Sequence, residues 1–138
     1  MIIVSACLAG IKCRWNGSSS KNEEIVELVK KGQAIPVCPE QLGGLETPRK
    51  VAEILDNKVI TKDGYDVTDS FVRGAFETLN ICKMYNCDKA ILKSKSPSCG
   101  CGSVYNGKFN GTLISGNGIT SNLLKNNGIE VISDKDFI

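Results

Sequence analysis

The 138-residue sequence contains no histidine. That absence removes Ser-His and Cys-His catalytic pairs, imidazole acid–base chemistry and His-ligated zinc. Charge of one sign is also lacking in excess: seventeen basic against fifteen acidic residues leave a net charge of +2. So small a balance makes no electrostatic case for intact nucleic acid or an anionic membrane as partner. No apolar run approaches the roughly 18 residues of a membrane span, and Met1-Ile2-Ile3-Val4 is too short for a signal-peptide core. There is no internal repeat, linker or low-complexity tail. The length is that of one domain, 1–138, and the 41% apolar and 23% charged composition is average for globular chains. These features describe a soluble, cytoplasmic domain.

What is present is thiol. There are seven cysteines, an odd number that cannot close into intrachain disulfides. In a chain without secretion signals, reduced thiols point to metal binding or thiol chemistry.

The elements alternate. Ile2–Ser5 is a β-branched run that reads as a buried parallel strand ending at Cys7. Ser20 with Glu23 has capping-box spacing, ahead of a helix carrying Ile25, Val26, Leu28 and Val29. Ala34–Val37 is a second strand, with Pro36 suited to an edge, and it ends at Cys38. Residues 39–50 lack a period and read as a structured loop. A hairpin is expected around Asp56-Asn57, then a helix capped by Thr68 with Phe71, Val72, Ala75, Phe76 and Leu79 as its apolar stripe. Ala90–Leu92 is a third strand and is followed by a Ser- and Gly-rich loop. A second hairpin is expected over 105–114, a short helix over 120–126 and a last strand over 129–132. This order predicts a three-layer α/β domain: a mostly parallel, Rossmann-like sheet with helices on both faces, plus a small hairpin-rich insertion.

In such a sheet the ligand crevice lies beyond the carboxyl ends of the strands. Cys7, Cys38 and Cys99 each fall in the loop that follows a predicted strand. The alternative for any free cysteine is a small buried hydrophobe, and that is the reading for Cys82 and Cys87 in and after the long helix. Cys13 and Cys101 fit neither a zinc knuckle nor a CxxC redox pair; Cys13 could support the site, and Cys101 could substitute for Cys99. Three states remain open on these residues alone: a thiolate zinc site in a binding module, an iron-sulfur cluster, or a metal-free thiol or persulfide protein using Cys99 and Cys101. Gly17-Ser18-Ser19-Ser20-Lys21 has the composition of a phosphate cradle but not the Walker spacing.

Three stretches together resemble one family. They are Val4-Ser5-Ala6-Cys7-Leu8-Ala9-Gly10 with Cys13-Arg14, then Pro36-Val37-Cys38-Pro39-Glu40-Gln41-Leu42-Gly43-Gly44 with Thr47-Pro48-Arg49, then Ile91-Leu92-Lys93-Ser94-Lys95-Ser96-Pro97-Ser98-Cys99-Gly100. The resemblance, which runs over nearly the whole chain, is to the small bacterial family long labelled as of unknown function whose characterised members are thiouracil desulfidases. It implies a 4Fe-4S cluster on three cysteines matching Cys7, Cys38 and Cys99, with one iron left open for the sulfur of a thiolated pyrimidine. The implied reaction converts 2-thiouracil or a similar base to uracil and hydrosulfide without net redox change. Most members carry a small non-thiol residue where Cys101 stands. An open iron is exposed to oxygen, so aerobically prepared protein can be without the cluster.

Around that centre, Glu40 lies two residues beyond Cys38 and is the candidate proton carrier. Ser96 and Ser98 beside Cys99 are candidates to hydrogen-bond the reacting pyrimidine. Ser5, Arg14 and Arg49 are candidates for binding its oxygen or an anionic form, the arginines with an internal ion pair as the alternative. Trp15 could stack on the base.

Overall fold

The computed structural model describes residues 1–137. Its centre is a four-stranded sheet in the order β2-β1-β5-β8, every pair parallel. The strands are β1 (Ile2–Ser5), β2 (Ala34–Val37), β5 (Lys89–Leu92) and β8 (Glu130–Ser133). The chain leaves β1 for β2 on one side and later returns to lay β5 on the other, so the strand order reverses at β1. The loops leaving β1 and β5 therefore diverge and open a crevice at the carboxyl edge of the sheet.

Alternation on these strands builds two apolar layers. Ile3, Ala90 and Leu92 point to one face and pack with Leu79 and Cys82 of α3 (Thr68–Met84) and Leu124 of α4 (Ile119–Asn126). Val4 and Ile91 point to the other and pack with Leu8 and with Ile25 of α1 (Glu23–Lys30). The three layers are those expected. Pro36 pairs with Val4 on β2, an edge strand, where its missing N–H costs no ladder bond on the outer side. No helix among the described residues is long and apolar enough to cross a membrane.

The two hairpins form separate antiparallel pairs. One is β3 (Ala52–Leu55) with β4 (Lys58–Thr61), turned by Asp56 and Asn57 at φ 51° and 64°. The other is β6 (Ser103–Tyr105) with β7 (Leu113–Ser115). Positive φ at both central residues matches the right-handed strand twist.

Four local expectations differ. Asn22, not Ser20, caps α1: its Oδ1 accepts from the N–H groups of Glu24 (3.0 Å) and Ile25 (3.2 Å), while the Ser20 N–H bonds the carbonyl of Cys7 at 2.9 Å. Asp66 rather than Thr68 receives the first free N–H of α3, that of Thr68 itself at 2.9 Å, and the Thr68 hydroxyl also accepts from Val59 N–H. Val72 and Phe76 are exposed, so the buried stripe of α3 is narrower than its apolar periodicity. Residues 39–50 are not all loop: Pro39–Leu42 forms one helical turn, α2, with Pro39 at its first position.

That turn lies directly on α3. A Cβ at Gly74 would overlap the carbonyl oxygen of Pro39, and one at Gly43 would overlap that of Ser70. The two backbones meet there, which fixes α2, and the Cys38 and Glu40 it positions, against the longest helix of the domain.

Candidate active site

Each of the three strand-end thiols is placed by local backbone. Cys7 sits in a single 3-10 turn, Ala6–Ala9, directly after β1, closed by Gly10 at φ 95°. Cys38 follows β2 and stands at the N-cap position of α2. Cys99 lies in the loop after β5, where the Ser96 hydroxyl accepts the N–H groups of Ser98 and Cys99, each at 3.0 Å. All three line one cavity of about 710 Å³ at the carboxyl edge of the sheet.

Cys13 joins them. It is buried, lines the same cavity and makes side-chain contact with both Cys7 and Cys38. The spacing of Cys7 and Cys13 carried no recognisable signal; the turn at Gly10 brings them together. Cys101 goes elsewhere, with its sulfur 3.7 Å from the carbonyl of Val131 and no place in the cavity lining. Cys82 and Cys87 belong to the apolar layer beneath α3. All seven cysteines are free.

The thiols hold their protons tightly. Burial pushes Cys99 up to about 12, against a hydrogen bond from Ser5 that works the other way. Cys38 is raised by its contact with Cys13 and by burial. For Cys13 the contact with Cys38 favours the thiolate, but its contact with Cys7 and burial outweigh this and push the thiol up to about 11. Binding a metal here must therefore displace protons.

Glu40 and Arg49 form a largely buried pair at the cavity wall. Arg49 Nε and Nη2 each lie 3.0 Å from Glu40 Oε2. Burial raises the proton affinity of Glu40, opposed by the Arg49 charge. The rest of the fork is spent on the carbonyls of Cys13 (2.9 Å) and Glu46 (3.2 Å) and on Thr47 Oγ1 (3.0 Å). Arg49 is thus an internal clamp on the Cys13 and Glu40 segments, not a free substrate-binding group. The Arg14 guanidinium, bonded among the described residues only to Ser18 Oγ at 3.5 Å, keeps donors free, and Arg14 lines the cavity beside Trp15.

The serines divide. Ser96 lines the cavity. The Ser98 hydroxyl is buried against Thr120 Oγ1 at 2.8 Å and is not part of the lining; it also hydrogen-bonds the Cys99 sulfur, so it supports that thiol rather than reaching a substrate. Ser5 is buried too. Its Oγ accepts the Lys93 N–H at 2.9 Å and hydrogen-bonds Cys99, tying the ends of β1 and β5 to the thiol.

Sequence reasoning missed Glu53, Lys95, Tyr105 and Phe109, which also line the cavity. They sit on hairpins and loops whose placement over the sheet has no local signature.

The donor set is thiol-rich and is delivered by separate loops to one cavity. Among the described residues no three Cys, Asp or Glu side chains gather closely enough to hold a single metal ion, as a zinc centre with bonds of about 2.3 Å requires. A cluster has several irons and takes each thiolate at a different one, so separate thiols from three loops fit it.

A parallel α/β domain with a thiol-lined crevice at its switch point is the class this geometry defines. Residues 2–136 match the model of the 2-thiouracil desulfurase family, and the chain belongs to that family. A Bacillus subtilis (strain 168) protein described as uncharacterized protein YbbK is 46% identical over 147 residues, covering 99% of this chain and 97% of its own. A solved structure of TudS, described as a 4Fe-4S-dependent thiouracil desulfidase, matches with TM-score 0.95 at 43% identity, over 99% of this chain and 91% of that one.

Proposed function

We propose that this chain removes sulfur from a thiolated pyrimidine, 2-thiouracil or a close relative, using a 4Fe-4S cluster held by Cys7, Cys38 and Cys99. The observation that carries the reading is the convergence of three strand-end thiols on one cavity. Family membership supports the substrate class, and the description of TudS supports the cofactor. Three protein thiolates are one fewer than the four of an ordinary cluster, so a cluster held by Cys7, Cys38 and Cys99 would have one iron without a protein ligand. When bound, the cluster would supply a Lewis acid toward the thiocarbonyl sulfur and make its carbon more electrophilic.

The chain's own residues do the rest. A water oxygen bonds to the carbon as the thiocarbonyl π pair moves onto sulfur. The carbonyl then forms as the remaining carbon–sulfur bond breaks and sulfur departs with that pair as hydrosulfide. One water proton leaves on sulfur and the other passes to solvent, so no electrons are left over. The attacking water must lose a proton, and Glu40 is the base at hand. Arg49 holds Glu40 Oε2, so Oε1 is the oxygen that takes the proton. Burial raises the proton affinity of this carboxylate, which suits it to hold that proton and return it. Arg14 has donors for the pyrimidine oxygen, and Ser96 shapes the wall beside Cys99.

Anaerobically reconstituted protein incubated with 2-thiouracil tests the reading. Uracil and hydrosulfide should appear in equal amounts, followed by chromatography and a sulfide assay. Absence of turnover with 2-thiouracil, 4-thiouracil and their nucleosides would overturn it.

A further inference from the structure

Glu53 lies on β3, 46 residues before Cys99 in sequence, yet it lines the same cavity and is only 7% exposed. Its side chain reaches across to the loop between β6 and β7. Oε1 accepts the N–H of Gly107 at 3.0 Å and that of Phe109 at 3.1 Å. The loop lies close on β3: a Cβ at Gly107, which sits at φ 85°, would come within 2.6 Å of the Ile54 carbonyl oxygen. Tyr105, Phe109 and Gly111 from this hairpin form part of the cavity wall. Glu53 is therefore the clasp that holds one wall in place.

The clasp uses a single oxygen. Oε2 makes no hydrogen bond and belongs to no ion pair among the described residues. Nor is it sealed away: among the described residues, Ser121 Oγ is the fully buried side-chain atom that lacks a partner. A carboxylate oxygen can only accept. An acceptor without a partner, on a side chain this buried and facing a cavity, fits a neutral N–H or O–H donor of a ligand.

We propose that Glu53 is a substrate-binding residue whose Oε1 fixes the 106–112 loop while Oε2 accepts a hydrogen bond from a thiolated pyrimidine or its nucleoside. The inference rests on the desulfidase reading and adds to it the group that recognises the substrate. The donor is a ring N–H or a ribose hydroxyl, chemically alike from the carboxylate's side.

Glu53→Gln separates the two oxygens. The Gly107 and Phe109 N–H groups pin the amide oxygen at the clasp, so the NH2 group falls where Oε2 stood and meets the substrate's donor with another donor. In the holoenzyme KM should rise by about tenfold or more with kcat changed less than about threefold, while the thermal midpoint stays near wild type. Uracil and uridine titrated into metal-free protein, followed by the fluorescence of Trp15 on the cavity wall, should bind correspondingly more weakly. A KM effect on 2-thiouracil and 2-thiouridine alike assigns the ring N–H; one confined to 2-thiouridine assigns the sugar hydroxyl. Wild-type KM and wild-type product binding in Glu53→Gln would overturn the proposal, leaving Glu53 a clasp alone. If wild-type protein turns over no thiolated pyrimidine, the reaction is wrong, and the titrations of metal-free protein still decide the role of Glu53.

Discussion

Arg49 places both Nε and Nη2 at 3.0 Å from a single oxygen of Glu40. The same guanidinium spans to the carbonyl of Cys13, so one side chain fixes the acid and two of the thiol-bearing segments. Buried pairs of this kind are costly to break because the surviving charge stays desolvated. Arg49→Ala should lose about 3 kcal/mol or more in urea unfolding. Arg49→Lys should recover little, since one ammonium cannot reach the acceptors a planar fork reaches. Wild-type stability in Arg49→Ala would show that the clamp is dispensable.

The close approach of α2 and α3 predicts a second sensitive position. Gly74→Ala puts a methyl group into the Pro39 carbonyl, and neither backbone can yield without moving Cys38 and Glu40. The expected loss is about 3 kcal/mol, at the upper end for overpacking, with iron retention reduced in parallel. Denaturation midpoints and iron content of the variant check both.

Cys99 and Cys101 are two residues apart, yet only Cys99 faces the cavity. Cys99→Ala should abolish cluster retention, whereas Cys101→Ala should keep wild-type iron content and visible absorption after anaerobic reconstitution. Equal loss in both variants would mean that Cys101 shares in the site.

Asp66 accepts both the N–H and the hydroxyl of Thr68, which holds its carboxyl below the usual range. A lowered folded-state value means that the carboxylate adds stability above the unfolded-state pKa of about 3.9 and loses it as pH falls through the folded value. Asp66→Ala should therefore be less stable than wild type at neutral pH, and the gap should narrow toward about pH 3. Urea midpoints at the two pH values test the sign; a gap that widens on acidification would contradict it.

The parallel strands were legible because each is a short apolar, β-branched run bounded by Gly, Pro or polar residues. Their loops carried Cys7, Cys38 and Cys99 with them. The hairpin at Asp56-Asn57 was legible for the same local reason, both residues accepting positive φ. Contacts made across long sequence separations were not. Cys13 meets Cys38 over 25 residues, and Glu53 meets Phe109 over 56. Neither has a periodic or spacing signature, because the tertiary placement of loops decides them. The α2 turn was missed because four residues cannot display a helical period. Ser98 and Arg49 were plausible ligand groups by chemistry, and only the positions of Thr120 and Glu40 showed that their bonds were already taken.

Iron and acid-labile sulfide per chain, measured after strictly anaerobic purification and reconstitution, test the central claim most directly. About four of each are predicted, as a 4Fe-4S cluster on three protein thiolates requires. Stoichiometric zinc without sulfide, or no bound metal at all, would contradict the account.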